Sequence, residues 1–302
     1  MTQFTLEPNE IIKANQKPVH IFKYGDNSEN IDHQVVESFG EEWKKFQNFE
    51  DEEIDRIGKE YFDILLPYLK PDKTYLGDFG CGTGRWSKYL APKVAQIEAI
   101  DPSESIFAAS NLLSENTNVR LSRTSIDHLP FEDNSFDIVI SVGVLHHIPD
   151  TKKAMRSCVE KTKINGHCFF YLYYNLEGEP FLNRTLFSFV NALRKLISGL
   201  PVFLKKVLCD IIALFIYFPL AKSALFFESL GLKKIASKIP LSYYRNKSFY
   251  VMRNDSLDRF GTQLEQRFSE HEIKEMMESC GLVDIQISPS RPKYCAVGQR
   301  SS

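Results

Sequence analysis

The chain has 302 residues, of which 43% are hydrophobic and 25% are charged, and its formal net charge is −2. This composition is that of an ordinary globular protein, and the length suits one large domain or a domain with a substantial insertion. The slightly acidic balance excludes a protein whose whole surface is basic, so we expect no nucleic-acid partner.

The cysteines and the N-terminus indicate the compartment. Six cysteines are scattered along the chain without a CxxC pair, which is typical of reduced thiols and predicts neither a disulfide framework nor a metal site. The first residues are polar and include acids, unlike a secretory signal peptide. We therefore expect a cytoplasmic protein with no bound metal.

Residues 1–35 are polar and contain Pro8, Pro18 and Gly25, which predicts an irregular N-terminal arm. From Val35 onwards, aromatic and aliphatic residues recur at helical spacing, which predicts helices before the first core strand. Two interpretations of residues 39–43 remain open: packing in the core, or a lid over the site described next.

A glycine-rich turn follows an apolar run, in the segment Asp78-Phe79-Gly80-Cys81-Gly82-Thr83-Gly84. Glycines allow a sharp turn and close approach of a ligand, and the helix that follows offers unpaired N–H groups. The dinucleotide fingerprint requires its third glycine where Arg85 stands. This spacing therefore disfavours a dehydrogenase, the nearest rival enzyme.

An acid ends the next predicted strand. Asp101 lies about twenty residues beyond the first glycine, where a carboxylate can accept hydrogen bonds from both hydroxyls of a ribose. Pro102 follows it, as is common in the first turn of a helix. The segment 78–101 thus predicts strand, turn, helix and strand around a nucleoside.

Three further segments predict strands that alternate with loops. Leu129–Asp137 is a turn that leads into the apolar strand Ile138–Val142, and Val144–Asp150 follows that strand with two adjacent histidines. Residues 165–167 then precede an apolar run through 174. Strands that alternate with helices predict a parallel sheet.

Together these motifs resemble the class I S-adenosylmethionine-dependent methyltransferases, in particular the ubiquinone-biosynthesis-like (methyltransferase type 11) family, over residues 76–174 and the C-terminal end. The resemblance implies an α/β fold with a doubly wound, Rossmann-like, seven-stranded sheet, an antiparallel C-terminal hairpin and a helical insertion after the fifth strand. It also implies S-adenosylmethionine as the cofactor.

The resemblance assigns a set of cofactor-binding residues. Many relatives carry an acid at the position of Ser125, so the adenine contact falls to Asp127 or to the backbone of Ile126. Cys81 is interpreted as a small residue that fills the turn. The full set is Asp78, Gly80, Cys81, Gly82, Gly84, Arg85, Trp86, Asp101, Pro102, Ser125, Ile126, Asp127 and Val142.

The predicted catalytic residues are His146, His147 and Tyr174, at the strand ends where acceptors approach. Methyl transfer needs alignment of the acceptor and exclusion of water, and a histidine can act as general base. The alternative is that each histidine only shapes the loop. Tyr243, Tyr244 and Arg245 are a further candidate anion site, against the alternative of a solvated loop.

Residues 181–247 differ from the rest of the chain, and we treat them as an insertion between core segments 36–180 and 248–302. They hold eleven basic and two acidic residues, a net charge of +9. Their apolar run 211–220 is interpreted as too short to span a membrane and broken by Pro219. Either a helical cap over the acceptor or peripheral membrane contact through 181–232 explains this composition.

The predicted function is methyl transfer from S-adenosylmethionine to a small or lipid- or nucleotide-linked acceptor, which the basic insertion suggests is anionic. The alternative is a methyltransferase-like protein that binds the cofactor, or serves as a membrane scaffold, without turnover. The C-terminal segment supports the fold, because Ser269 and Glu272 form a capping-box pattern before a helix that ends near Gly281.

Overall fold

The structure is a computed structural model that describes residues 3–14, 17–23, 30–43, 51–175, 181–261, 264–289 and 295–301. The chain divides into two compact units. The first contains residues 1–177 and 264–302, and the second contains residues 178–263.

A nine-stranded sheet forms the centre of the first unit, in the order β1-β2-β5-β4-β3-β6-β7-β9-β8. The five strands from β5 to β7 in this order run parallel, and β9 pairs antiparallel with both β7 and β8. The strands are β1 (Glu10–Ala14), β2 (Lys17–Ile21), β3 (Tyr75–Phe79), β4 (Gln96–Ile100), β5 (Val119–Arg123), β6 (Phe136–Val142), β7 (Thr162–Tyr171), β8 (Leu282–Ile287) and β9 (Cys295–Arg300).

Helices flank the sheet in the first unit and form the second unit. In chain order they are α1 (His33–Trp43), α2 (Asp51–Tyr61), α3 (Arg85–Leu90), α4 (Ser105–Leu112), α5 (Thr151–Lys161), α6 (Phe181–Ser198), α7 (Val202–Ile212), α8 (Phe218–Ser229), α9 (Lys233–Ala236), α10 (Phe249–Gly261) and α11 (Glu270–Ser279). Helices α6 to α10 belong to the second unit.

Apolar side chains cover both faces of the sheet. One core cluster includes Leu76, Ile97 and Phe169, and the other includes Phe79 and Phe136, all at most 2% exposed. Parallel strands that are covered on both faces read as continuous apolar runs, which is why the sequence marked them clearly. The prediction of a doubly wound sheet with an antiparallel C-terminal hairpin is confirmed.

The position of β3 determines where a ligand can bind. Strand β3 pairs with β4 on one side and with β6 on the other, so successive connections leave its carboxyl end in opposite directions. In open α/β sheets a crevice forms at such a switch point. The glycine-rich turn lies directly after β3, at this crevice.

The N-terminal arm and the strand count differ from the sequence prediction. Residues 10–21 contain a β-hairpin, and β2 pairs in parallel with β5, which extends the sheet to nine strands instead of seven. The side chains of Val19 and Ile21 are buried against the sheet. The prediction of an irregular arm was wrong here because this pairing is with residues about a hundred positions away.

The C-terminal end of the first unit follows the sequence prediction. Ser269 and Glu272 form the capping box, with Ser269 Oγ 3.1 Å from the Glu272 amide and Glu272 Oε2 2.6 Å from the Ser269 amide. Gly281 has a φ of +89° after the helix, as a C-cap glycine does.

The second unit extends beyond the predicted insertion, to residue 263 instead of 247. The reason is that α10 packs with the insertion helices. Ser256 donates a hydrogen bond to the Cys209 carbonyl at 2.8 Å, Tyr217 donates to Asp255 at 2.8 Å, and Arg253 pairs with Asp210. These pairs could not be read from the local sequence.

A single helix runs from Phe203 to Ser229, 27 residues in all, and it is long and apolar enough to cross a membrane. The interpretation that this run is too short and broken was therefore wrong. Pro219 lacks an N–H group, and the helix accommodates it through a π-helical stretch at Ala213–Tyr217. Length and composition alone are weak evidence for a membrane span, because one side of the helix is buried within the second unit.

Candidate active site

The glycine-rich turn is held against the end of strand β4. The amides of Gly80 and Cys81 both donate to the Ile100 carbonyl, at 2.7 and 2.9 Å. Gly80, Gly82 and Gly84 have φ values of +85°, +55° and +82°. This left-handed backbone is what glycine adopts without a steric penalty.

The three glycines have different surroundings. A Cβ on Gly80 would lie 2.4 Å from the Val144 side chain, and one on Gly84 would lie 2.6 Å from Leu113. A Cβ on Gly82 would have no atom within 4 Å. Gly80 and Gly84 thus pack the turn, whereas Gly82 faces open space that a ligand can enter.

Asp101 ties the turn to the second strand. Its Oδ2 accepts from the Gly82 amide at 2.9 Å, and its Oδ1 accepts from the Ser103 amide at 2.8 Å and hydroxyl at 2.6 Å. A carboxylate has about four acceptor positions, so Oδ2 retains capacity for a further donor such as a ribose hydroxyl. Pro102 lies between these two anchored residues.

Asp78 is an acid buried at the floor of the turn. Its Oδ2 accepts from the Ser87 hydroxyl at 2.6 Å, while its buried Oδ1 has no hydrogen-bond partner. Burial, with the nearby charge of Asp101, raises the pKa of Asp78 to about 7. An unpartnered carboxylate oxygen in such a place fits a cationic ligand group.

Cys81, Arg85 and Trp86 are mainly structural in this turn. Cys81 is buried, and burial raises the pKa of its thiol well above the usual value, so it is unsuited to act as a nucleophile. Trp86 is 4% exposed, and the Arg85 guanidinium lies 4.3 Å from the centre of its ring.

The predicted adenine segment follows β5. Ser125 precedes a short 3-10 helix at Ile126–His128, and its buried Oγ has no partner. Ile126 is also buried, and Asp127 lies 3.7 Å from Lys153 in an ion pair. The hydroxyl of Ser125 therefore has hydrogen-bonding capacity left for a ligand. Val142, at the end of β6, is buried as well.

The two predicted catalytic histidines lie in different environments. His146 is fully buried, both ring nitrogens lack partners, and its ring stacks on Tyr173 at 3.9 Å. Burial, with His147 and Arg267 nearby, lowers the pKa of His146 well below its usual value, which keeps the ring neutral. The ring nitrogen Nδ1 of His147 lies 2.8 Å from the Leu264 carbonyl. A structural role therefore suits His147 better.

Tyr174 forms a bridge with Phe268, and its carbonyl accepts from the Arg267 guanidinium at 3.2 Å. Arg267 also pairs with Glu265 and lies 5.4 Å from the Tyr173 ring centre. The segment 264–268 thus backs the histidine loop. Its role was missed from sequence, because it is far from the other motifs along the chain.

Ser87 and Ser103 were also missed. Each supports one acid of the site, Asp78 and Asp101 respectively. The Asp-Pro-Ser pattern at 101–103 is a local signal for the second contact, since an aspartate often accepts from the amide two residues on. No such signal marks Ser87, which reaches Asp78 across the turn.

The candidate anion site at 243–245 is not supported. Arg245 forms two hydrogen bonds with Glu228, at 2.7 and 3.1 Å, and Tyr244 is buried. Only Tyr243 of this group is exposed. The prediction failed because Glu228 lies on another helix of the second unit. The predicted lid side chains Phe39 and Trp43 lie outside the described residues, although Gly40 of α1 approaches the backbone of Glu104.

The residues fit S-adenosylmethionine. Gly82 opens to space beside the acceptor oxygen of Asp101, which suits a ribose, and Asp78 offers an unpartnered oxygen for a cationic group. Ser125 offers a hydroxyl at the next strand end. No pyrophosphate-binding glycine is present where Arg85 stands.

Comparison with known proteins gives a family match over the same segment. Residues 77–170 match the family described as "Methyltransferase domain". The chain is 29% identical over 113 residues to the ubiquinone biosynthesis O-methyltransferase of Coxiella burnetii, which covers 35% of this chain and 48% of that protein. It is 27% identical over 124 residues to the tRNA U34 carboxymethyltransferase of Campylobacter curvus, covering 39% of this chain and 41% of that protein.

The chain thus spans about half the length of the curated relatives it matches. Among solved structures, human N-acetylserotonin methyltransferase in complex with SAM aligns with a TM-score of 0.50 and 12% identity, over 87% of this chain and 57% of that one. A likeness at this identity shows the fold. Residues 77–170 thus match a methyltransferase-domain family, in agreement with the family that the sequence motifs resemble.

Proposed function

We propose that the chain binds S-adenosylmethionine at the carboxyl ends of β3 and β4 and transfers its methyl group to an anionic acceptor that is either small or lipid- or nucleotide-linked. The observation that carries this proposal is Gly82. Its amide is held by Asp101, and the space beside it is open. The buried Asp78 lies below the same turn.

When bound, the cofactor would supply a methyl group on a sulfonium. The acceptor atom would form a bond to that methyl carbon in line with the carbon–sulfur bond, which breaks and releases the neutral thioether S-adenosylhomocysteine. The protein's part is to bind, orient and keep out water. Asp101 accepts from the ribose, and Ser125 or the Ile126 backbone meets the adenine. Asp78 stabilises the cationic methionine portion when its carboxyl is ionised.

His146 is the proposed general base. Its ring is neutral and lacks partners, so a nitrogen is available to take the acceptor's proton once the acceptor is seated. Since the ring is fully buried, this role requires the acceptor to reach it through movement of the surrounding loop. Tyr173 positions the ring by stacking, and Tyr174 remains a candidate contact for the acceptor.

The acceptor class rests on the composition of residues 181–247. Their net charge of +9 favours an anionic acceptor. We propose that this insertion caps the acceptor and contacts a membrane surface through 181–232, in a cytoplasmic protein. The names of the relatives point to unrelated acceptors and do not narrow the choice.

The second candidate is a cofactor-binding protein without turnover, and the complete burial of His146 favours it. The variant His146→Phe separates the two. It keeps the ring stack but removes the base, which we expect to lower turnover by about 10²- to 10⁴-fold while leaving cofactor affinity unchanged. A second experiment incubates the wild-type protein with cell extract and methyl-labelled cofactor. If the label passes to no molecule of the extract, the second candidate is supported.

Titration calorimetry tests cofactor binding itself. Removing hydrogen bonds to a charged group costs about 1.5–3 kcal/mol, so Asp101→Asn should weaken S-adenosylmethionine binding by about tenfold to a hundredfold. Asp133→Asn is a matched control, because Asp133 lies outside the predicted cofactor-binding set and pairs with Lys161. Equal affinities for wild type and Asp101→Asn would remove the ribose assignment.

A further inference from the structure

The helix from Phe203 to Ser229 carries large apolar side chains on the side that faces away from its own unit. We call this the outward apolar face. Phe203 is 74% exposed and Phe215 is 69% exposed. Its members, spaced at three and four residues, are Phe203, Leu204, Val207, Ile211, Leu214, Phe215 and Phe218.

The other side of the same helix is the packed side, where three alanines lie among Cys209, Ile212 and Tyr217. Ala213, Ala221 and Ala224 are fully buried. Cys209 and Tyr217 are at most 3% exposed. A helix at the surface of a water-soluble unit normally has its polar side outward. Here large apolar groups point outward, which requires a partner of low polarity.

A second cluster combines apolar and basic side chains just after this helix. Leu230, Leu232 and Ile235 are exposed. Lys233, Lys234 and Lys238 are exposed among them. Apolar groups that enter a bilayer beside lysines that stay at the headgroups are the pattern of a helix bound to an anionic membrane surface.

We propose that the outward apolar face lies in the plane of an anionic lipid bilayer, with Lys233, Lys234 and Lys238 at the headgroups. This inference rests on the proposed function, whose membrane contact it assigns to particular residues. Charge complementarity favours an anionic bilayer over a second copy of the chain as the partner of this face. A second copy of the chain would bring another 181–247 segment, also with a net charge of +9, against the first, which repulsion disfavours.

The helix lies in the plane of the bilayer and does not cross it. Asp210 near its first third pairs with Arg253 of α10, and both side chains are close to half exposed. Tyr217 binds Asp255, also on α10. A spanning orientation would draw these polar and charged groups of α10 into hydrocarbon, which is costly.

Vesicle binding by full-length protein tests the inference. We expect sedimentation with vesicles of phosphatidylcholine mixed with phosphatidylglycerol, and weaker sedimentation with phosphatidylcholine alone. The double variant Ile211→Ser with Phe215→Ser should bind the mixed vesicles at least about tenfold more weakly. Ile164→Ser is the matched control, since Ile164 is 55% exposed in the first unit, and it should bind as wild type does.

The lysine cluster is tested separately. Lys233→Ala with Lys234→Ala should remove most of the preference for phosphatidylglycerol and the sensitivity of binding to salt. Lys274→Ala, an exposed lysine on α11, should change neither. An undiminished preference in the double lysine variant would overturn the placement of this cluster at the headgroups.

Orientation is measured with an impermeant maleimide on sealed vesicles, because all six native cysteines are buried. Pro201→Cys, just before the helix, and Ser229→Cys at its end replace exposed residues outside the outward apolar face, and both should react from outside. Reaction at one end only would show a spanning helix and overturn the in-plane placement.

Two further results would overturn the inference. One is failure of the wild type to bind the mixed vesicles. The other is a dimer in solution that Ile211→Ser with Phe215→Ser dissociates. Calorimetry with S-adenosylmethionine on the same samples keeps this test apart from the proposed function, because cofactor binding should survive in every variant named here.

Discussion

The glycine-rich turn and the helix Phe203–Ser229 break the usual rule of burial in opposite ways. Beside the turn, Asp78, Ser125 and His146 bury polar atoms that have no partner. On the helix, large apolar groups such as Phe203 and Phe215 lie exposed. The polar atoms beside the turn lack hydrogen-bond partners, and the apolar groups on the helix lack an apolar surface to pack against.

The free-energy costs of these two kinds of side chain explain why both regions indicate binding. A buried polar atom without a partner costs about 1–3 kcal/mol. Leaving a large apolar side chain in water forgoes about 1.5–3 kcal/mol. A ligand with donors and charge relieves the first cost, and a lipid surface relieves the second. Buried polar atoms without hydrogen-bond partners are therefore what we expect at a small-molecule site. Exposed apolar side chains are what we expect where a protein contacts a lipid surface.

The largest expected effect concerns the packing of the turn. Gly80→Ala should lower the free energy of unfolding by about 4 kcal/mol, because a Cβ at positive φ is strained and meets the Val144 side chain at 2.4 Å. Gly82→Ala should cost only about 1 kcal/mol, since its Cβ meets no atom within 4 Å, yet should abolish cofactor binding. Urea unfolding and calorimetry measure the two. Equal losses of stability would contradict this account of the turn.

The second prediction concerns the buried acid. Asp78 has a pKa of about 7 in the folded protein and about 3.9 when unfolded. Between these values the folded chain binds more protons, so this group makes the protein less stable as pH rises from about 4 to about 7. Asp78→Asn removes the charge and should be about 4 kcal/mol more stable than wild type at pH 8, because the two pKa values differ by about 3 units and each unit corresponds to about 1.36 kcal/mol.

At pH 4 the same variant should be within about 0.5 kcal/mol of wild type, because Asp78 is then protonated in the folded chain and about half protonated in the unfolded chain. Urea unfolding at several pH values gives the comparison. Ser87→Ala is the companion variant, as it removes the donor to Asp78 and should raise the pKa of that carboxyl further. A constant difference between Asp78→Asn and wild type from pH 4 to pH 8 would show that the carboxyl does not titrate in this range.

The third prediction compares the two sides of the long helix. Ala221→Leu adds volume on the buried side and should destabilise the protein by about 2 kcal/mol. Leu214→Ser, on the outward apolar face, should stay within about 0.5 kcal/mol of wild type. Urea unfolding without lipid gives both values. A large loss in Leu214→Ser would mean that the outward apolar face is covered in solution.

The smallest effect separates the two histidines. His147→Ala should lower the free energy of unfolding by about 1 kcal/mol, because it removes the contact with the Leu264 carbonyl. His146→Phe should leave stability unchanged or higher, since it replaces unpartnered ring nitrogens with carbon. If His147→Ala proves neutral while His146→Phe destabilises, the assignment of structural and catalytic roles is reversed.

The geometry of the glycine-rich turn was largely predictable from the sequence. Gly80 and Gly82 adopt the positive φ that their spacing indicated, and Asp101 reaches the turn from the end of the second core strand. The capping box at Ser269 also formed as predicted. These features depend on residues a few positions apart, or on the fixed order of a strand, turn and helix.

The supporting contacts were less predictable. The pairing of β2 with β5 and the contact of His147 with Leu264 join residues about a hundred positions apart. Arg245 lost its predicted role because Glu228 on a neighbouring helix occupies its guanidinium. Composition and periodicity do not report which distant side chains meet.

The sequence by itself determined the alternating strands and helices, the glycine-rich turn and the charge of the insertion, because backbone preference and charge are properties of short segments. Only the tertiary structure decided that His146 is buried without partners and that Phe215 points outward. The apolar run that holds Phe215 fits a buried helix as well as an exposed one. Which side faces its own unit depends on packing against α10, a helix that lies beyond the run in the chain.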